Sequence, residues 1–280
     1  MSCISYSTAG FVDRDVEAAL DAVAAAGYRQ TELVGQAPHV AEPLTGRDLS
    51  SFLARVGQRG LSVRTVHAPL GRNALGVPEE TWRHEVVERF SSYIRFASGV
   101  DATDVILHPV PNPMFVTEPD DPAVVDRIRD AVSRSLDELV PVAGREGTRM
   151  LLENLPYRCK FPYLSMVELR SLVDEYPAAQ LGLVVDTGHA WTTKRDPADE
   201  IAAAGNRLQG THLQDVDHED PQDNHWPPTH GGLDWPAIRS ALAAVDYPGP
   251  WTFEVARGRH GETPEQLARI THQVATSWGL

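Results

Sequence analysis

The chain has 280 residues with 42% hydrophobic content, enough for one large core, and no apolar run long enough to span a bilayer. Its formal net charge of −14 repels phosphate backbones and counts against a nucleic-acid partner, short of a local basic patch hidden in the acidic total. Cys3 and Cys159 form neither a CxxC motif nor a disulfide framework, and the N-terminus carries no signal-peptide pattern, so a reducing cytoplasm is the expected compartment.

Strand and helix patterns alternate from end to end. Strand 1 is CISYS, followed by a helix over about 13–26, where Val16, Leu20 and Val23 share one face and Gly27 supplies the C-terminal cap. TELVG precedes a helix over about 46–58, and SVRTVHA precedes a long helix over about 78–98 with Pro78 near its start. DVILHP leads to a helix over about 121–145, RMLLENL to one over about 165–175, and LGLVVDT to a short one over about 197–204. GTHLQD and WTFEVA then precede helices over about 235–245 and 263–276. Several strands are short, nearly continuous apolar runs, as in a parallel sheet covered on both faces. Eight such units predict an α/β fold, a single (β/α)8 TIM barrel in one domain over residues 1–280. A doubly wound open sheet fits less well, because no GxGxxG or Walker loop is present. The one long irregular stretch, about 216–234, has the length of a functional or mobile loop.

Seven of the eight strands carry a metal-capable residue at or near their ends: Glu32, His67, His108, Glu153, Asp186, His212 and Glu254. A closed barrel brings its strand ends into one ring, so residues far apart in sequence can share a pocket. Glu153, Asp186, His212 and Glu254 come from consecutive units. Carboxylates with one imidazole suit one divalent ion, Mn²⁺, Mg²⁺, Co²⁺ or Zn²⁺. His67, His108, His189 and His225 face the same mouth and are assigned to substrate contact, with further metal ligation as the alternative. Asp223 and His225, in DNH, read as a ligand pair on the long loop. Glu32 is given no role. His84, His218, His230, His260 and His272 default to the surface. Trp235 is expected to pack; Trp191 and Trp226 stay open between packing and a wall for a sugar face.

The segments LLENLP, VVDTGH, THLQD, DNHWPPTHGGLDW and WTFEV resemble those of the xylose isomerase-like barrel superfamily. The match is to its sugar phosphate isomerase/epimerase group, also called the AP endonuclease family 2 fold. The resemblance covers nearly the whole chain. It implies that Glu153, Asp186, His212 and Glu254 hold one divalent metal, that Glu153 and Glu254 move a proton on opposite faces of a sugar or polyol, and that His189 contacts substrate oxygens. The implied reaction is proton abstraction alpha to a carbonyl through a metal-stabilised enediolate. Return of the proton to the same carbon gives epimerisation, and to its neighbour isomerisation. Loss of a β-hydroxyl gives dehydration, as in inosose and dehydroshikimate dehydratases.

Two positions depart from the ketose 3-epimerases: Cys159 stands where they carry a further Glu, and His218 where they carry an Arg. Arg158, Lys160 and Lys194 are available for an anionic group. A second resemblance is to endonuclease IV, which holds three zinc ions. Its ligand types match at His67, His108, Glu153, Asp186, His189, His212, Asp223, His225 and Glu254, and they imply phosphodiester cleavage, against which the acidic total argues. The outer helix faces allow a homo-oligomer, and the sequence fixes no state.

Overall fold

In a computed structural model, residues 4–280 are described. Cys3, expected in the first strand, lies outside them. Eight parallel strands close on themselves in sequential order. They are β1 (Ile4–Ser7), β2 (Gln30–Val34), β3 (Ser62–His67), β4 (Asp104–Leu107), β5 (Arg149–Glu153), β6 (Leu181–Asp186), β7 (Leu208–Leu213) and β8 (Trp251–Phe253). The closing pair, β8 to β1, has Ile4 opposite Trp251 and Tyr6 opposite Phe253.

The helices are α1 (Val16–Ala25), α2 (Gly46–Gln58), α3 (Glu80–Gly99), α4 (Pro122–Glu146), α5 (Met166–Val173), α6 (Thr187–Thr192), α7 (Pro197–Ala204), α8 (Trp235–Ala244) and α9 (Pro264–Ser277). Their ends follow local chemistry. Asp15, Asp121, Ser165, Asp196, Asp234 and Thr263 each accept a backbone N–H at a helix start, and proline opens α4, α7, α8 and α9. Gly147 ends α4 in the left-handed region at φ 67°. The α6 turn was not predicted. Its six residues include Gly188, a poor helix former, and it stands because Asp186 caps it by accepting from the His189 amide at 2.7 Å.

Most buried apolar side chains lie in one cluster that includes residues of both the strands and the surrounding helices, among them Leu20, Phe52, Phe90, Ile94, Leu136, Leu152, Leu183, Ile238 and Leu267. A small separate cluster of Ile106, Leu151 and Val184, from β4, β5 and β6, belongs to the opposite face of the strands, inside the barrel. Successive strand residues alternate faces. His108, Glu153 and Asp186 stand two residues beyond these three, so the same alternation aims them along the barrel axis. The interior apolar layer is the floor on which the polar site rests.

Candidate active site

Glu153, Asp186 and His67 are the last residues of β5, β6 and β3. His212 is the penultimate residue of β7, and His108 and Glu254 follow β4 and β8 by one. Barrel closure brings all six to the C-terminal mouth, as the strand-end pattern predicts. Glu32 corrects that pattern. It is third of the five residues of β2, fully buried, and sits beneath the ring rather than at the mouth.

Glu153 is the hub. Its Oε2 faces His67 Nε2 at 3.2 Å and His108 Nε2 at 3.3 Å, and its Oε1 faces His212 Nδ1 at 2.9 Å and His189 Nδ1 at 3.4 Å. Burial works against ionisation, yet His212, His108 and His67 outweigh it and hold the carboxyl well below the usual range. His67 is oriented by its Nδ1, 2.8 Å from the Ala68 carbonyl, which leaves Nε2 aimed at the site. Burial drives the His108 pKa down and so favours a neutral ring.

His212 carries a carboxylate behind it. Its Nε2 lies 3.2 Å from Glu32 Oε2, and Thr65 Oγ1 donates to that same oxygen at 2.7 Å. With Nε2–H donating to Glu32, Nδ1 faces Glu153 and Glu254, the latter at 3.4 Å, and offers its lone pair to a cation once its own proton is lost. This is the carboxylate–histidine arrangement that fixes the tautomer of a metal-ligating ring. Burial opposes a charge on His212, but Glu32, Glu254 and Glu153 override it and raise its pKa well above the ordinary value.

The β6 side is clasped by Asn154, whose amide donates to the Asp186 carbonyl at 2.9 Å and accepts from the Asp186 amide at 2.8 Å. Burial pushes the Asp186 carboxyl up to about 6, with Glu153 adding and His189 opposing. His189 Nδ1 is 2.8 Å from the Asn154 carbonyl, and its Nε2 is 3.4 Å from Asp223. Asp223 also faces His225 Nε2 at 3.1 Å. Asp223, half-buried, is held far below the carboxylate range by these two rings, and His225 in turn rises to about 9 against the opposing effect of burial.

Two residues that the sequence did not flag hold this loop in place. The Gln214 amide donates to both Asp186 oxygens at 3.2 Å and to Asp223 at 3.0 Å, and its carbonyl accepts from the His225 amide at 2.7 Å. Gly188 is required beneath it, since a Cβ there would collide with the Gln214 amide. Asp215 is fully buried. Its carboxylate accepts from the amides of Val216, Thr229 and Leu233 at 2.9, 2.9 and 3.2 Å, and from Trp235 Nε1 at 2.8 Å. Its backbone pairs with Trp226. His225, at φ 51°, is kept in the left-handed region, and its Nδ1 lies 3.0 Å from the Glu254 carbonyl.

Above these groups is a cavity of about 400 Å³, whose lining includes His67, His108, Glu153, Tyr157, His189, Asp223, His225 and Glu254. Asp186 and His212 lie below this lining. Cys159 and His218 are not part of it; His218 instead stacks against Trp191 at 4.8 Å. Trp191, Trp226 and Trp235 do not line it either: Trp235 stacks on Trp278 at 5.3 Å, and Arg259 covers Trp226 at 5.0 Å. Of the histidines expected at the surface, His84, His218 and His260 are exposed, whereas His230 and His272 are half-buried, the latter packed edge-on against Tyr28 at 5.0 Å.

The donor set suits a divalent cation. One ligand atom each from Glu153, Asp186, His212 and Glu254 lies within 4.8 Å of every other, and all four residues are buried. Among the described residues no Lys or Arg pairs with these carboxylates, nor with Glu32 or Asp223; their recorded ion-pair partners are imidazoles. Buried carboxylates with such weak counterions call for a cation. Two further groups bring their ligand atoms equally close, His67 with Glu153 and His212, and His189 with Asp223 and His225.

The chain is 26% identical to the uncharacterized protein y4fM of Sinorhizobium fredii (strain NBRC 101917 / NGR234), over 79% of this chain and 75% of that one. Among solved structures it is similar to a D-tagatose 3-epimerase-like protein, with TM-score 0.81, 20% identity and coverage of 99% and 96% of the two chains. It is similar also to the 3-keto-D-glucoside 4-epimerase YcjR from E. coli, with TM-score 0.76, 18% identity and coverage of 99% and 98%. At these identities the likeness is one of fold. A model of the xylose isomerase-like TIM barrel family matches residues 20–276, and the chain belongs to that family.

Proposed function

We propose that this chain is a divalent-metal-dependent isomerase or epimerase of a sugar or polyol, working by proton transfer alpha to a carbonyl. The observation that carries the reading is the buried Glu153–Asp186–His212–Glu254 set beneath a polar cavity, balanced only by imidazoles. The names of the two solved barrels, an epimerase-like protein and an epimerase, support it.

A cation on these four residues would supply Lewis-acid stabilisation of the charge that develops on adjacent substrate oxygens. The remaining work belongs to the side chains. One of Glu153 and Glu254 takes the proton from the carbon alpha to the carbonyl, and the released electron pair moves onto the carbonyl oxygen to give an enediolate. The other carboxyl, protonated when substrate binds, returns its proton to the same carbon for epimerisation or to the neighbouring carbon for isomerisation, and in the latter case the proton of the substrate hydroxyl passes to the former carbonyl oxygen. His67, His108 and His189 present ring nitrogens to the substrate oxygens, and the backbone carbonyls behind His67 and His189 keep them from rotating away. His225 and Asp223 close the rim.

A second reading rests on the two additional donor groups, which would let the site hold up to three zinc ions and act as a phosphodiesterase. Metal content per chain, by elemental mass spectrometry on protein purified without chelator, separates the two. About one Mn, Co, Mg or Zn supports the isomerase and directs screening to ketoses and keto-sugars. Two or three Zn, with cleavage of abasic DNA, would replace it.

A further inference from the structure

Beside the candidate active site lies a second cavity of about 360 Å³, lined by Tyr157, Arg158, Cys159, Leu164, Thr192, Thr193, Lys194 and Arg195. It contains three cationic side chains and no acidic one, in a chain whose net charge is −14. Among the described residues none of the three is in an ion pair. Arg195 influences Glu200 but does not reach ion-pair distance from it, and Glu200 is engaged with the Met166 amide at 2.7 Å. Three cations lining one cavity with no acidic residue in its wall set up a local positive field that favours an anion.

Two features distinguish this cavity from a patch of mobile surface residues. Arg158 is held by the Thr192 carbonyl at 3.0 Å on Nε and the Pro221 carbonyl at 2.7 Å on one terminal nitrogen, which leaves the other free and fixed in direction. Thr192 is 5% exposed, and its hydroxyl has no hydrogen-bond partner. An unpartnered buried hydroxyl in a residue of the cavity wall is a polar group that an entering ligand can satisfy. Tyr157 joins this cavity to the active site, since it lines both and its hydroxyl is influenced by Glu153 and Asp223 on one side and by Cys159 on the other. Lys160, read from the sequence as a third cation with Arg158 and Lys194, is not part of the lining; Arg195 takes its place.

We infer that the Arg158–Thr192–Lys194–Arg195 cavity is a subsite for a tetrahedral oxyanion such as a phosphate group, separated from the reacting carbons by Tyr157. The anion is either carried by the substrate or free as an effector. As a part of catalysis the subsite rests on the isomerase reading; as an anion site it does not.

The test is titration of the metal-loaded protein with inorganic phosphate by calorimetry, for the wild type and for Lys194→Gln/Arg195→Gln, alongside turnover of matched phosphorylated and unphosphorylated ketoses. Losing two charge-assisted contacts is expected to weaken phosphate at least about tenfold. A Lys194→Glu variant, whose fold is checked by circular dichroism, should abolish binding. If the substrate carries the anion, the double variant loses at least about tenfold more kcat/KM on the phosphorylated ketose than on the unphosphorylated one. If the anion is free, added phosphate changes wild-type turnover of the unphosphorylated ketose, and the double variant loses that response. Absence of phosphate binding to the wild type overturns the subsite. Equal affinity in the double variant also does so, by placing the anion elsewhere, such as on the metal donors. Failure to turn over any sugar, with phosphate affinity still lost in the variants, removes the isomerase reading and leaves the subsite standing.

Discussion

The floor of the site and its rim are built in opposite ways. Glu153, Asp186 and His212 lie in strands, on backbone already fixed by the barrel's hydrogen bonds, and Glu32 stands behind His212 from within β2. Asp223 and His225 lie in the long segment between β7 and α8, and no ladder supports them beyond one bridge between Asp215 and Trp226. What holds the rim is side-chain chemistry from the two residues that follow β7, Gln214 and Asp215. Strand-borne groups therefore owe their geometry to the fold, and loop-borne groups chiefly to these two side chains, helped by the His225 carbonyl, which accepts from the Ala256 and Arg257 amides at 3.0 and 3.2 Å. Substitutions on the floor should change chemistry without moving the chain, whereas those at the root of the rim should move the chain first.

The largest expected effect is on the floor. Glu153→Gln and Glu254→Gln keep the shape but remove a proton acceptor, and each should lower kcat by about 10²–10⁴ with the circular dichroism spectrum unchanged. Wild-type turnover in either variant would exclude that residue from proton transfer. At the root of the rim, Asp215→Asn turns an NH₂ toward N–H groups that now donate to a carboxylate. Up to four donors lose a charged acceptor, and each donor left unsatisfied costs about 1–3 kcal/mol. The barrel should stay folded while limited proteolysis opens within residues 216–234 and activity falls. A variant as resistant as the wild type would show that the loop does not depend on Asp215.

Much of the floor was legible in the sequence, and little of what supports it. A polar residue that ends an apolar strand stands out against its own neighbours, so His67, Glu153, Asp186 and His212 announced themselves. The partner of Glu32 is 180 residues away and is set only when the barrel closes, so nothing near TELVG signals the bond to His212. Gln214 and Asp215 sit in view in THLQD, but their partners return from the loop and from Trp235, 20 residues further on. Asn154 and the α6 turn were hidden for a related reason: both are organised around Asp186 in three dimensions, and Gly188 masks the helical signal.

Glu32 provides an intermediate effect, reached through metal rather than through the loop. A cation on His212 must displace the proton that Glu32, Glu254 and Glu153 stabilise there. Because the folded-state pKa of His212 is raised, proton competition persists above the ordinary imidazole range, and metal affinity should climb with pH until that raised pKa is passed. Calorimetry of metal binding in buffers of different ionisation enthalpy should show proton release; none would mean that His212 binds no metal or is already neutral. Glu32→Gln keeps an acceptor for Nε2–H but loses the charge, and should weaken metal about 10–100-fold.

The smallest effect is expected back on the rim, and it tests whether the rim belongs to the metal site at all. His225 reaches Asp223 and the Glu254 carbonyl, but it is not among the four donors gathered around Glu153. If it contributes hydrogen bonds to substrate or to the loop, His225→Ala should cost about 1 kcal/mol, a several-fold loss of kcat/KM with metal content unchanged. If His189, Asp223 and His225 hold an ion of their own, the same variant should lose stoichiometric metal and nearly all activity together. The two outcomes differ most in metal counted per chain, so that count on the variant, read against the wild type, shows whether the loop assists the floor or forms a second centre beside it.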